Sequence, residues 1–267
     1  MCMKNCTDGG NCMKPLLELE SVNFAYHNMA GETPALSNIS FQVNEGEFIA
    51  IVGPSGCGKS TLLSLISGLI TPETGSIQIN GTDVSKARTD IGYMLQKDHL
   101  FEWRSIYKNV ILGLEIQKKL NSEYIDGVNE MLINYGLDAF RDKKPSELSG
   151  GMRQRAALIR TLALKPSILL LDEPFSALDY QTRLNVSDDI GSIIKKEKKT
   201  AILVTHDLSE AISLGDKVIV LSKRPGTIKA IMPITFSLTN KTPFACRNTP
   251  EFKDYFNAIW KELNYNG

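Results

Sequence analysis

A glycine-rich segment, GPSGCGKST at residues 53–61, has the residue types and spacing of a phosphate-binding loop. It fits the pattern G-x-x-x-x-G-K-[ST], in which backbone N–H groups surround phosphates, the lysine reaches the terminal phosphates and the hydroxyl binds Mg²⁺. An apolar run precedes the segment and leucines at helical spacing follow it, so a helix N-terminus adds positive partial charge. The pattern predicts a nucleoside triphosphate site with Mg²⁺, the alternative being an ordinary glycine turn. The expected contacts are Gly53, Pro54, Ser55, Gly56, Cys57, Gly58, Lys59, Ser60 and Thr61, with Ser60 also on the metal and Cys57 without a nucleophilic role.

Two adjacent carboxylates, Asp172 and Glu173, follow the apolar run ILLL. Open α/β sheets bind ligands at the carboxyl ends of their strands, so both carboxylates are expected beside a bound ligand. We expect Asp172 in the Mg²⁺ shell, whereas Glu173 could polarise a water for attack on a γ-phosphate. The alternative is a solvated turn before Pro174, but a phosphate-binding loop in the same chain favours the catalytic interpretation.

A second glycine segment, LSGGMRQR at residues 148–155, stands at the predicted start of an arginine-bearing helix. Helix N-termini bind anions, so this segment is a second candidate phosphate site. The alternative is local, with Ser149 capping the helix. The chain thus carries two candidate phosphate sites and one set of catalytic groups.

Length and composition describe a globular protein. With 267 residues and 42% apolar content, the chain can bury the core of one large α/β domain or of a domain with a small insert. Lysine plus arginine equals aspartate plus glutamate, 30 of each, so no global field favours nucleic acid or an acidic membrane surface. The apolar runs are far shorter than the ~20 residues that span a bilayer, and we expect no spanning segment.

The first 14 residues have the composition of a flexible polar tail. They lack the apolar stretch of a secretory signal, which predicts a cytosolic protein with reduced thiols. Cys2, Cys6 and Cys12 could in principle bind a metal, but they form no C-x-x-C pair and no histidine lies nearby.

Periodicity predicts a wound α/β core. Strand-type segments such as LLELESVNFAY open the chain, and the stretch HNMAGETPA that follows has the composition of a loop. After the phosphate-binding loop, a helical spacing places four apolar residues on one face: Leu62, Leu63, Ile66 and Leu69. The pattern is helical between about residues 105 and 164, with Ile125, Val128, Met131, Leu132 and Tyr135 on one face. ILLL and AILV have the unalternating composition of parallel strands that are buried on both faces. KVIVLS and TIKAIMPITF predict further strands, and PEFKDYFNAIWKEL predicts a closing helix.

Several motifs in one order resemble the ATP-binding subunit of an ABC transporter. They are the phosphate-binding loop, LSGGM, ILLLDEP, SALD and THD, and the resemblance covers nearly the whole chain from about Leu16. It implies ATP hydrolysis with Mg²⁺ on a P-loop NTPase core with an antiparallel β subdomain and an inserted α-helical subdomain. On this basis the ABC ATPase domain occupies residues 15–267, with the helical subdomain at about 97–164 and a C-terminal strand and helix extension at about 233–267.

The resemblance also gives the second glycine segment a role. In this family two copies face each other head to tail, so that the LSGG segment of one copy closes over the nucleotide of the other. Ser149, Gly150 and Gly151 would then contact the γ-phosphate in trans. Asp179 of SALD resembles an aspartate at the dimer seam, and its alternative is a helix cap.

Three further positions take roles by resemblance. Tyr26 resembles the aromatic residue that stacks on adenine, the alternative being ordinary packing. Gln96, at the end of the predicted strand IGYMLQ, resembles the glutamine that approaches Mg²⁺ and the attacking water, and would otherwise be solvated. His206 resembles the switch histidine that holds the γ-phosphate, the alternative being a structural hydrogen bond. His27 and His99 match no motif and are expected at the surface.

The stretch KDHLFEWRSIYKNVILGLEI resembles the segment of importers that contacts membrane permease subunits. Phe101 and Trp103 are the expected coupling residues if exposed, and would otherwise pack within the helical subdomain. With LSKRPGTI and the C-terminal tail, the segment resembles the nitrate, sulfonate and taurine importer group, which includes carriers of a thiamine precursor, although Glu102 stands where Pro is common. The implied partners are a second copy, permease subunits and, indirectly, an extracytoplasmic solute-binding protein, with no nucleic acid. The implied location is the cytoplasmic face of the membrane, and the alternative is an ABC ATPase of DNA repair or translation.

Overall fold

A mixed six-stranded sheet forms the centre of the molecule. The computed structural model describes residues 14–29, 31–86, 90–238 and 242–264, so Cys2, Cys6, Cys12 and nearly all of the predicted tail lie outside the described residues. The strands are β3 (Phe48–Val52), β6 (Ile91–Met94), β7 (Ile168–Asp172), β8 (Thr200–Val204), β9 (Lys217–Leu221) and β10 (Ile228–Pro233). Their spatial order is β10-β9-β3-β8-β7-β6, with every neighbouring pair parallel except β10 with β9. The central strands are buried throughout, as their unalternating apolar sequences predict.

A second sheet is antiparallel and has four strands. They are β1 (Leu17–Asn28), β2 (Gly31–Val43), β4 (Thr74–Ile79) and β5 (Thr82–Asp83), in the order β2-β1-β4-β5. Apolar side chains of this sheet pack with α1 (Lys59–Ile66) and with one face of the central sheet in a common hydrophobic core. This core fixes the phosphate-binding loop between the two sheets.

Helices cover the rest of the central sheet. They are α2 (Ile106–Val110), α3 (Leu112–Ile116), α4 (Ser122–Asn134), α5 (Gly150–Leu162), α6 (Tyr180–Lys196), α7 (Leu208–Leu214), α8 (Pro243–Arg247) and α9 (Pro250–Asn264). Asn121 caps α4, and Val128, Leu132 and Tyr135 of the predicted face are buried. Among the described residues, no helix has the length and the apolar content needed to cross a bilayer.

Three local predictions are wrong. Most of HNMAGETPA is not a loop, because residues 27–28 belong to β1 and residues 31–35 to β2, with Asn28 paired to Gly31, and the polar residues of these strand ends are largely exposed. Leu69 does not share the buried helical face and is 69% exposed, because α1 ends at Ile66 and the chain turns at Gly68, whose φ is 69°. Gln96 lies beyond the strand, whose pairing with β7 ends at Met94.

Candidate functional site

The phosphate-binding loop follows β3 and passes directly into α1. Its left-handed glycines, Gly56 and Gly58, make the tight turn, and a Cβ on Gly58 would lie 2.7 Å from Leu36 Cδ2. No side chain caps α1, so its first N–H groups are available to a ligand. The loop borders a cavity of about 470 Å³, here called the nucleotide cavity. Its lining residues are Tyr26, Ala35, Ser55, Gly56, Gly58, Lys59, Ser60, Thr61, Glu173, His206 and Arg224.

Lys59 is buried at the base of the nucleotide cavity. Its Nζ donates to the carbonyl oxygens of Gly53 and Pro54 at 2.9 and 3.0 Å. These contacts hold the ammonium group within the loop, where backbone N–H groups and one cation can together bind phosphate oxygens.

Ser60 and Asp172 form a pair of oxygen donors beside the loop. The Ser60 hydroxyl donates to Asp172 Oδ1 at 3.2 Å, and the Tyr93 hydroxyl donates to Oδ2 at 3.4 Å. Burial raises the pKa of Asp172, and burial together with the charge of Asp172 raises the pKa of Tyr93 to about 12. A hydroxyl and a carboxylate are ligands that Mg²⁺ prefers, so these residues fit the metal.

Glu173 and His206 meet across the ends of β7 and β8. His206 Nδ1 lies 3.1 Å from Glu173 Oε2, and the backbone N–H of Glu173 donates to Val204 O at 2.9 Å. Glu173 has φ of 44°, a left-handed conformation that is uncommon for residues other than glycine. The structure therefore places a carboxylate and an imidazole in hydrogen-bonding distance at the mouth of the cavity.

Gln96 does not line the nucleotide cavity. Its Nε2 donates to Ser176 Oγ at 3.3 Å, and Ser176 Oγ donates to the carbonyl oxygen of Glu173 at 2.9 Å. Gln96 therefore reaches the backbone of Glu173 through one intervening hydroxyl.

Tyr26 lies on β1 at the far side of the cavity. Tyr26 is 45% exposed, its ring packs edge-on against Phe24 with centroids 5.0 Å apart, and its hydroxyl lies 3.0 Å from Thr61 Oγ1. An exposed ring held at one edge leaves a face for a planar ligand.

The LSGG segment lies outside the nucleotide cavity. Ser149 caps α5, its hydroxyl accepting from the backbone N–H of Met152 at 3.4 Å. Gly150 borders a separate cavity of about 310 Å³, here called the LSGG cavity, with Lys97, Asp98, His99, Arg153, Gln154, Ala177 and Leu178. Asp179 likewise caps α6, accepting from Thr182 N at 3.0 Å. Ser149 and Asp179 thus have the local roles that sequence offered as alternatives, and neither lines the nucleotide cavity.

Comparison with known proteins places this geometry in a family. The family described as ABC transporter matches residues 36–176. The chain is 48% identical to the uncharacterized ABC transporter ATP-binding protein YtlC of Bacillus subtilis (strain 168), over 93% of this chain and 95% of that protein. It is 39% identical to the nitrate import ATP-binding protein NrtD of Synechocystis sp., over 91% and 93% of the two chains. The chain belongs to the ABC transporter ATP-binding proteins.

A solved structure supports the same family. The dimeric ATP-binding cassette MJ0796, in a post-hydrolysis state bound to ADP and Pi, matches with a TM-score of 0.70 and 31% identity, over 82% of this chain and 99% of that one. The predicted fold class, a P-loop NTPase core of the ABC type, is confirmed. So is the resemblance to importer ATPases, because aliphatic sulfonate and taurine import proteins are also among the relatives. This ABC protein is therefore a transporter-type ATPase, and the DNA repair and translation classes are set aside.

Arg224 is the charged residue lining the cavity of this ABC ATPase that sequence reasoning missed. It follows β9, and its Nε donates to Pro34 O at 2.9 Å beside Ala35, which also lines the cavity. The loop that carries it packs on the phosphate-binding loop, since a Cβ on Gly226 would lie 2.2 Å from the carbonyl oxygen of Cys57. A cation just beyond a strand in the same sheet as β3 was the available signal.

Phe101 and Trp103 of the ABC ATPase lie together before α2. Their ring centroids are 4.7 Å apart, and Trp103 is 74% exposed whereas Phe101 is partly buried. Buried Asn109 fixes the loop by exchanging hydrogen bonds with the backbone of Phe101, at 2.7 and 3.1 Å, and by donating to the carbonyl oxygens of Arg104 and Ser105. Trp103 is therefore presented on an ordered loop. His27 and His99 are exposed, as predicted.

Proposed function

We propose that this ABC ATPase drives solute import by closing, with a second copy, over ATP at two shared sites. The observation that carries the proposal is the division of the chain into half-sites. Glu173 and His206 line the nucleotide cavity, while Gly150 of the LSGG segment borders the separate LSGG cavity. Each half-site is complete only if a second copy supplies its LSGG segment.

The residues around the nucleotide cavity have distinct proposed roles. The phosphate-binding loop and Lys59 bind the phosphates, and Tyr26 stacks on adenine. Ser60 and Asp172 would hold Mg²⁺, and Gln96 would approach the metal from its place beside Ser176. Mg²⁺, when bound, neutralises phosphate charge. Glu173 accepts a proton from the attacking water, and its contact with His206 keeps the carboxylate oriented toward the γ-phosphate.

The second copy contributes the remaining phosphate contacts. Ser149, Gly150 and Gly151 bring the N-terminus of α5 to the γ-phosphate of the facing copy, and Asp179 lies at the seam. ATP favours the closed dimer only through contacts that the open state lacks, and hydrolysis removes them.

Permease subunits dock on the loop that carries Phe101 and Trp103. An exposed tryptophan on an ordered loop has the character of an interface anchor. The protein then acts at the cytoplasmic face of the membrane, and its solute resembles nitrate, a sulfonate, taurine or a thiamine precursor. A solute-binding protein would deliver that solute to the permease. The named functions of the relatives support this class of solute.

Affinity capture tests the transporter assembly. The tagged protein is purified from mild-detergent membranes, and co-purifying chains are identified by mass spectrometry for the wild type, Trp103→Ala and Trp260→Ala. Trp260 is the matched control because it is 56% exposed and lies on α9. We expect a multi-span permease with the wild type and Trp260→Ala, and a loss of about tenfold or more with Trp103→Ala, as for a central interface anchor.

Two results would contradict this proposal. Equal permease recovery with Trp103→Ala would remove Trp103 from the interface, and capture of ribosomal or DNA-associated chains instead of a permease would remove the importer role. Uptake assays on the recovered complex with nitrate, an alkanesulfonate and taurine then identify the solute.

A further inference from the structure

Arg183 lies on α6 between two loops beside the hydrolytic groups. These are the SALD loop, residues 176–179, and the switch loop, residues 205–207. Arg183 Nη2 donates to the carbonyl oxygen of Leu178 at 3.0 Å, and Nη1 lies 3.9 Å from Asp207 Oδ2. Both charged side chains are largely buried, at 22% and 24% exposure. One guanidinium therefore contacts both loops.

The switch loop has its own internal hydrogen bonds. The backbone N–H of Asp207 donates to Thr205 Oγ1 at 3.0 Å, and the Thr205 hydroxyl donates to Glu210 Oε2 at 2.6 Å. Asp207 Oδ1 also caps α7 by accepting from Ser209 N at 2.7 Å. These bonds shape the loop but do not connect it to the SALD loop, which is the connection that Arg183 provides.

The connection matters because His206 lies in the switch loop, 3.1 Å from Glu173 Oε2. A displacement of about 1 Å can cost a large factor in rate when catalytic groups must be aligned. We propose that Arg183 is a positioning residue that keeps the switch loop in register with the SALD loop, so that His206 stays within hydrogen-bonding distance of Glu173. This inference rests on the proposed roles of Glu173 and His206.

Arginine suits this position better than lysine. One terminal nitrogen of its planar guanidinium donates to the Leu178 carbonyl oxygen while the other forms an ion pair with Asp207 at 3.9 Å, whereas an ammonium group offers one small charged centre. Truncation would also leave the Asp207 carboxylate partly buried without this cation. The change should therefore loosen the switch loop while leaving the phosphate-binding loop in place.

Steady-state hydrolysis and nucleotide binding by the full chain test the proposal. For Arg183→Ala we expect kcat to fall about tenfold or more while the Kd for a fluorescent ATP analogue stays within about threefold of the wild type. Arg183→Lys should recover part of the rate. Arg247→Ala is the matched control, because Arg247 also contacts α6, at Ser187 Oγ (3.1 Å) and Asp188 Oδ1 (3.0 Å), whereas this hydrogen bond and this ion pair involve neither the SALD loop nor the switch loop. This control should lower the melting temperature and leave kcat nearly unchanged.

A double-mutant cycle separates positioning from general stability. Asp207→Asn keeps an oxygen that can cap α7 but removes the charge that pairs with Arg183. The double mutant should therefore lose little more kcat than Arg183→Ala alone. The inference is overturned if the two effects multiply, if Arg183→Ala keeps kcat within about twofold, or if the two alanine variants lose kcat in proportion to melting temperature. Glu173→Gln in the same assay distinguishes the failures. Full turnover by Glu173→Gln would remove the proposed role of Glu173. Loss of turnover in Glu173→Gln, together with a normal kcat in Arg183→Ala, would overturn only the inference about Arg183.

Discussion

The two glycine-bearing helix starts, those of α1 and α5, differ in what surrounds them. Both lack acidic residues in the first turn, and both are suited to anions. At α1 no side chain caps the helix, and Lys59, Glu173 and His206 line the adjoining cavity. At α5 the Ser149 hydroxyl caps the helix, and none of these three residues borders the adjoining cavity. Both helix starts are thus candidate phosphate sites, whereas the proposed hydrolytic groups, Glu173 and His206, line the cavity at α1 only.

This difference follows from sheet topology. The loop after β3 and the carboxylates at the end of β7 lie at the carboxyl ends of parallel strands that are separated in the sheet by β8 alone, and open α/β sheets bind ligands at this edge. The α5 start follows a short 3₁₀ turn at Pro145–Glu147 rather than a sheet strand. A helix end can bind phosphate by itself, but a general base must come from another element. This arrangement supports the proposal that the α5 end serves a nucleotide held by a second copy.

Removing the base should produce the largest effect. Glu173→Gln keeps the shape and a partner for His206 but cannot accept a proton, so we expect turnover to fall by about 10²- to 10³-fold, within the range for general bases. ATP binding should persist and a closed dimer should accumulate. Phosphate release and size-exclusion chromatography with ATP measure the two effects.

Glu147→Gln is the control from the other helix end. Glu147 accepts from Lys144 N at 2.7 Å just before the LSGG segment, and its loss should leave turnover within about twofold of the wild type. Unchanged turnover in Glu173→Gln would remove Glu173 as the base. An equal loss in both variants would mean that the two ends do not differ in catalysis.

Complementation tests whether the two ends belong to one shared site. Lys59→Ala removes the phosphate-binding cation, and Ser149→Asp keeps a good helix cap while placing a negative charge against the proposed γ-phosphate position. Each variant alone should lose nearly all activity. Mixed in equal amounts, they should recover about a quarter of wild-type hydrolysis if dimers form at random and each intact composite site acts alone. No recovery, with both variants folded and dimerising, would contradict trans completion.

Sequence predicted well those groups whose position depends on one continuous segment of the chain. The spacing of glycines, Lys59 and Ser60 defines a loop between a strand and a helix, and a carboxylate pair after a buried strand must lie at the sheet edge. Ser149 shows the limit of such reasoning. Its local pattern predicts both a cap and an anion site, and only the position of α5 in the fold shows that it lies away from the nucleotide cavity of its own chain.

Contacts between distant segments depended on strand order, which periodicity does not give. β9 lies beside β3 although β6, β7 and β8 intervene in sequence, and this neighbour relation brings Arg224 to the cavity. The contacts of Arg183 with Leu178 and Asp207 likewise need the packing of α6. The loop predicted from composition at the hairpin of β1 and β2 was wrong, because an exposed edge of a sheet can consist of polar residues and still keep its backbone pairing.

Buried acidity is a further property of the hydrolytic side. Burial raises the pKa of Glu210, next to the switch loop, to about 7 from its ordinary 4.5. The protonated carboxyl therefore contributes stability that is complete below about pH 4.5 and is lost as pH rises through about 7. Glu210→Gln stays neutral and keeps an acceptor for the Thr205 hydroxyl. Between pH 5 and 8 its unfolding free energy should rise relative to the wild type by about 2 kcal/mol. Urea unfolding at both pH values measures this change, and a constant difference would mean that Glu210 titrates normally.

The smallest expected effect concerns Arg224, the cation that joins Lys59 at the nucleotide cavity. With Nε held by Pro34 O, the two terminal N–H₂ groups of Arg224 can face a bound nucleotide. Arg224→Ala should weaken ATP binding by about three- to tenfold at low salt, and less at high salt, since the side chain is exposed. Lys223→Ala is the control, because it removes the same charge from an adjacent exposed residue that does not line the cavity. Equal loss in both variants would mean that general charge, rather than the fixed guanidinium, accounts for the affinity, and the hydrolytic helix end would then rely on Lys59 for its cation.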